Sequence, residues 1–138
     1  MQPAARVEGS QGSSLVLSVL EERLAVCRLD PESEVPGWAV KQPFCSVTRT
    51  SDELSVVCPE WHVPFEATCE RGWRVLKLEG PFDLELTGIL VSVTAPLAEA
   101  GVSVFAIATY DTDYVLVKES RLDLAVSVLS ERGYVVRR

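Results

Sequence analysis

Residues 80–119 read GPFDLELTGILVSVTAPLAEAGVSVFAIATYDTDYVLVKE, and this stretch decides the fold. Ile89, Leu90, Val93 and Leu97 recur at i, i+1, i+4 and i+8, one face of a helix predicted over residues 87–99. Thr87 can cap its start and Gly101 can follow its end. Pro96 falls inside this window and predicts a kink, because its ring displaces the carbonyl of Ser92. Val102–Thr109 and Tyr114–Val117 then read as two strands joined by the turn Tyr110-Asp-Thr-Asp113.

Working outward, a second helix is expected over about 120–132. Ser120 would be its N-cap, with Asp123 three residues on in the manner of a capping box. Leu122, Ala125, Val126 and Leu129 form its apolar stripe, Gly133 ends it, and Tyr134–Val136 is a short final strand. Upstream, Trp73–Leu78 is a strand. From there the order is strand, helix, strand, strand, helix, strand, the βαββαβ plan of a ferredoxin-like α+β domain with both helices on one sheet face. The N-terminal half carries four strand-like runs, Leu15–Leu20, Leu24–Leu29, Phe44–Thr48 and Leu54–Cys58. A shift of 61 places Leu15-Val-Leu17 on Leu76-Lys-Leu78 and Thr48-Arg-Thr-Ser-Asp52 on Thr109-Tyr-Asp-Thr-Asp113. One offset joining two separated segments points to a degenerate internal duplication. The domain expectation is therefore a leader over 1–13, a degenerate unit over 14–72 and a better-formed unit over 73–138.

The 138 residues carry 13 basic and 20 acidic side chains, a net charge of −7. An acidic balance repels phosphate backbones and anionic headgroups, so nucleic-acid and membrane-surface binding are disfavoured. No apolar run approaches the roughly 20 residues of a spanning helix. The first 13 residues have no apolar core of an export signal, so the expected location is cytoplasmic. There, Cys27, Cys45, Cys58 and Cys69 are expected as reduced, mostly buried thiols. No C-x-x-C pair is present and His62 is the only imidazole, so neither a metal nor any cofactor is expected.

Three features could carry chemistry. The turn Tyr110–Asp113 places two carboxylates within three residues, a local site for a cation, although Asp and Thr in a turn ordinarily bond only their own backbone. Gly88 at a helix start lets a ligand approach backbone N–H groups whose partial positive charge suits a carboxylate. A free amino acid, with a cationic amine and an anionic carboxylate, matches both. Cys58 and His62, four apart in CPEWH, have the residue types of a thiol nucleophile and its base, but Cys58 closes an apolar run and reads first as a core thiol. Val102, Val104, Ala106 and Ala108 on one face of their strand, with Phe105 and Ile107 on the other, leave a second apolar face to be covered by another sheet or another subunit. The common nucleotide-binding, hydrolase and metalloprotease strings are absent.

The helix T-G-I-L-x-x-x-x-A-P-L-A-E-A-G-V and the hairpin T-Y-D-T-D-Y-V-L-V resemble the ACT-domain family. More narrowly they resemble the short tandem-ACT proteins related to the CASTOR arginine sensors. RLAVCRLDPESEVPGWA is similar to that group's degenerate first unit. The resemblance implies the ferredoxin-like ACT fold in tandem and a non-enzymatic, dimeric regulatory protein that binds an amino acid or similar small molecule. It implies ligand contacts from Thr87, Gly88 and Ile89 at the first helix and from Thr109 and Tyr110 at the strand end, with Asp113 meeting a cationic ligand end. The arginine sensors use four ACT units and this chain has two, so arginine specificity does not carry over. The alternatives are an oligomerisation module of the same fold without a ligand, and a small cysteine-dependent enzyme.

Overall fold

The computed structural model describes residues 15–83 and 87–138. The expected leader, residues 1–13, lies outside the described residues. The chain divides into two compact units, residues 15–21 with 74–138, and Glu22–Trp73.

In the first unit the alternating apolar residues of β5 (Cys69–Leu78), Leu76 and Leu78, point to one side. They join Val115 and Val117 of β7 (Asp113–Lys118) in the core. Both helices cover this face. α1 (Ile89–Glu99) contributes Ile89, Val93 and Leu97, and α2 (Leu122–Glu131) contributes Leu122, Ala125 and Leu129. β6 (Phe105–Ala108) pairs with β7, and β7 with β5, as the βαββαβ plan requires. The plan would then set the last strand, β8 (Val135–Arg137), directly beside β5. Instead β1 (Val16–Val19) lies between them, antiparallel to β5 with Leu17 opposite Leu78, and parallel to β8 with Leu17 opposite Val136. Leu15 and Leu17 are buried among the same core residues as Leu76 and Leu78. An N-terminal strand therefore completes the five strands of this unit, which takes in residues 15–21 as well as 74–138. Apolar burial drew β1 into this unit, which local sequence order could not reveal.

Glu22–Trp73 has strands and short 3₁₀ turns but no α-helix. β2 (Leu24–Leu29) pairs with β4 (Leu54–Pro59), β4 with β3 (Ser46–Arg49), and β2 also with the first half of β5. Its core is small: Ala25, Cys27, Ala39, Leu54, Val56, Cys58 and Val63. The repeat is present as a hairpin but with a different offset. The last β3–β4 pair is Arg49 with Leu54 and the last β6–β7 pair is Ala108 with Asp113, so equivalent positions lie 59 residues apart. The two segments that the shift of 61 superposed, around Leu17 and Leu78, are antiparallel neighbours in one sheet.

The helix ends differ from expectation. Gly88 caps α1 in the left-handed region at φ 83°, with no side-chain capping bond, so Thr87 does not cap it. Ser120 sits in a 3₁₀ turn, Glu119–Arg121, and Arg121 is the residue before α2. Asp123 instead pairs with Arg138 at 3.0 Å. α1 runs through Pro96 as one element. Proline has no N–H, so the Ser92 carbonyl loses its helical donor. The Tyr134 hydroxyl, from the segment after α2, donates to that carbonyl at 2.7 Å. The lost helical bond is replaced by one from a side chain 42 positions away.

Candidate functional site

The candidate site is built where β5 ends, α1 begins and β6 turns into β7. The turn is fixed first. Thr109 N–H donates to the Thr112 carbonyl at 2.9 Å, the Thr109 hydroxyl donates to the same oxygen at 2.8 Å, and the buried Thr112 hydroxyl donates to the Leu78 carbonyl at 2.5 Å. The segment leaving β5 is then clipped to this turn by Phe82 N–H donating to the Asp111 carbonyl at 2.9 Å. Gly80 makes that approach feasible. A Cβ there would stand 3.1 Å from the Asp111 oxygen and 3.0 Å from the Phe82 nitrogen, both backbone atoms.

The result is a cleft of about 200 Å³ lined by Phe82, Asp83, Ile89 and the run from Ala108 to Asp113. Of the residues expected from sequence, Ile89, Thr109, Tyr110 and Asp113 line it. Thr87 and Gly88 are exposed and are not among its lining residues. Residues 84–86, between the Phe82 clip and α1, lie outside the described residues. Thr109 is committed to the turn through both its backbone and its hydroxyl. Tyr110 is 79% exposed, at the rim of the cleft. Asp113, the first residue of β7, is half-buried, and burial pushes its carboxyl above the ordinary aspartate value.

Phe82, Asp83, Ala108, Asp111 and Thr112 are the lining residues the sequence reading did not single out for the site. Asp111 was visible as half of the acidic turn. Phe82 and Asp83 carry no sequence signal, because only the clip brings them to the turn. Among the described residues, the lining holds three carboxylates, Asp83, Asp111 and Asp113, and no Lys or Arg. Such a wall favours a cationic or hydrogen-bond-donating group. The adjacent hollow of about 160 Å³ contains Lys77, which stands 3.9 Å from Glu79.

The Cys58–His62 pairing is not built. Cys58 is wholly buried in β4, and its thiol lies below the ordinary value because the Cys27 thiol donates a hydrogen bond to it. His62 lies in a 3₁₀ turn with its ring centroid 3.8 Å from that of Trp61. Among the described residues, no group of three or more His, Cys, Asp or Glu is placed to hold a metal ion, and no helix is long and apolar enough to cross a membrane.

The family model of the ACT domain matches residues 68–131, the span that holds β5, α1, β6, β7 and α2. The chain contains an ACT domain. A second family model, described as an N-terminal domain, matches residues 22–66, close to the bounds of the second unit. The cytosolic arginine sensor for mTORC1 subunit 1 of Bos taurus is 32% identical over 105 residues, 68% of this chain and 32% of that protein. Its Homo sapiens counterpart is 31% identical over the same length. The chain thus spans about a third of these curated relatives. Among solved structures, a protein from Agobacterium tumefaciens superposes with a TM-score of 0.84 at 34% identity, covering 88% of this chain and 91% of its own. Aspartate kinase from Clostridium acetobutylicum superposes with a TM-score of 0.64 at 12% identity over 85% of this chain and 34% of that one, which shows a shared ACT fold and nothing finer.

Proposed function

We propose that this ACT-domain protein is a non-enzymatic, cytoplasmic regulator that binds an amino acid or a similar small molecule in the cleft between the β6–β7 turn and the start of α1. The observation that carries the reading is the convergence of Ile89, Thr109, Tyr110 and Asp113 on one cleft walled by carboxylates. Asp83, Asp111 and Asp113 suit the ligand's amine. The first-turn amides of α1, from Ile89 onward, to which a helix gives no intrahelical partner, suit its carboxylate. The similarity to cytosolic arginine sensors supports an amino-acid ligand, while a one-third share of their length leaves the choice of amino acid open.

Ala106 and Ala108 are exposed on edge strand β6, and Phe105 and Ile107 are half-exposed. This apolar edge supports a homodimer, and sedimentation as a monomer at micromolar concentration would exclude it. One observation favours the alternative of an ACT module without a ligand: about 200 Å³ is below the roughly 300–1,000 Å³ of most ligand sites. Calorimetric titration with each of the twenty amino acids decides between them. Saturable heat with at least one, lost in Asp113→Ala while the fold is kept, is expected. No heat with any amino acid from a folded sample rejects the ligand.

A further inference from the structure

The four cysteines are confined to Glu22–Trp73, and three of them share one sheet face. Cys27 on β2 is directly opposite Cys69 on β5. The Arg28 N–H donates to the Thr68 carbonyl at 3.0 Å, a bond that brackets this pair and marks it as a non-hydrogen-bonded position of the ladder. At such positions the Cα atoms are about 4.5 Å apart and the side chains closest. A disulfide spans Cα separations of about 4.4–6.8 Å, so this pair is in range without backbone movement. Cys58 is opposite Ala25, and Cys27 is opposite Val56, so Cys58 is a diagonal neighbour of Cys27. Diagonal positions are about 7–8 Å apart, beyond disulfide reach.

We propose that Cys27 and Cys69 are a redox modification site, closing to a cross-strand disulfide by exchange with a low-molecular-weight disulfide such as oxidised glutathione. Cys69 is half-buried and Cys27 is 2% exposed, so entry is through Cys69. The Cys69 sulfur attacks one sulfur of oxidised glutathione, forms a mixed disulfide and releases one reduced glutathione. Cys27 then attacks the Cys69 sulfur, forms the Cys27–Cys69 bond and releases the second. Two protein thiols are oxidised, one glutathione disulfide is reduced, and the two thiol protons end on the two glutathiones. The three thiols are ordered for this. Cys69 S–H donates to Cys27, which sets the two sulfurs of the new bond against each other, and Cys27 S–H donates to Cys58. Arg71 lies near enough to favour the thiolate at Cys69 against the burial that opposes it. The closed loop would tie β2 to β5 across the hairpin that carries β3 and β4.

The full chain incubated with oxidised glutathione, acid-quenched, alkylated and mapped by mass spectrometry tests this. Cleavage after Glu60 and Glu66 separates Cys58 from Cys69 on different peptides. The expected product is a Cys27–Cys69 linked peptide, reversed by dithiothreitol and in about tenfold excess over any Cys27–Cys58 link. In Cys69→Ser, at a half-buried position that tolerates the change, Cys27 should stay reduced. A stable glutathione adduct on wild-type Cys69, a dominant Cys27–Cys58 link, oxidation of Cys27 in Cys69→Ser, or both thiols unreacted would each overturn the proposal.

Discussion

The turns of the two hairpins, Thr50–Glu53 and Thr109–Thr112, are built alike and differ in what surrounds them. In each, the leading threonine N–H donates to the carbonyl three residues on at 2.9 Å, and its hydroxyl bonds within the turn. Each carries an aspartate at its third position, Asp52 or Asp111. Yet the Thr50 turn is exposed and is held by a side chain, Arg28, whose guanidinium donates to the Asp52 carbonyl at 2.9 Å, whereas the Thr109 turn receives the Phe82 backbone clip, faces the start of α1 and lines a cleft. The recurrence of the pattern is therefore a property of hairpin closure. What sets the second turn apart is the helix and the post-strand segment brought against it.

Four substitutions probe this difference, in decreasing order of effect. Gly80→Ala drives a methyl against the Asp111 and Phe82 backbone and should cost about 1–3 kcal/mol in denaturant unfolding, with loss of ligand heat. Full stability with unchanged binding would show that the clip does not hold the cleft. Thr109→Val and Thr50→Val remove the same hydroxyl from the two turns. The half-buried Thr109 hydroxyl is expected to be worth about 1 kcal/mol and the exposed Thr50 hydroxyl less than about 0.5, since water replaces it. Equal losses by chemical denaturation would mean that the surroundings contribute nothing. Asp113→Asn is the smallest. Its folded value is raised by burial, so the native state holds the proton more firmly than the unfolded chain does. That stabilisation is fully present below the unfolded value of about 3.9 and is lost as pH rises through the native one. At neutral pH the variant should gain a few tenths of a kcal/mol, roughly, after solvent screening, and the gain should vanish in strong acid. A neutral-pH loss of stability would show that ionised Asp113 is stabilised by its surroundings.

Local pattern sufficed for most elements. The apolar spacing of Ile89, Val93 and Leu97 and of Leu122, Ala125 and Leu129 specified both helices, and β-branched runs specified the strands, because burial on one face imposes those periods. Helix starts were misread, because Thr87 and Ser120 have good capping chemistry but a left-handed glycine and a 3₁₀ turn set the geometry. The place of β1 was illegible, since an apolar strand carries no record of which neighbour it will join. The cleft lining was legible where chain neighbours make it, at Thr109, Tyr110 and Asp113, and illegible at Phe82, whose position depends on a backbone bond to a residue 29 positions later.

The bond from Tyr134 to the Ser92 carbonyl has a historical consequence. With Tyr134 in place, a proline at position 96 leaves no unsatisfied acceptor; without it, the same proline strands a carbonyl in α1. The two residues therefore form an ordered pair, in which a lineage can acquire Pro96 cheaply only after Tyr134. Once both are present, Tyr134 can no longer be exchanged for phenylalanine at low cost. Replacing Pro96 with alanine, which restores the helical donor, should release that constraint.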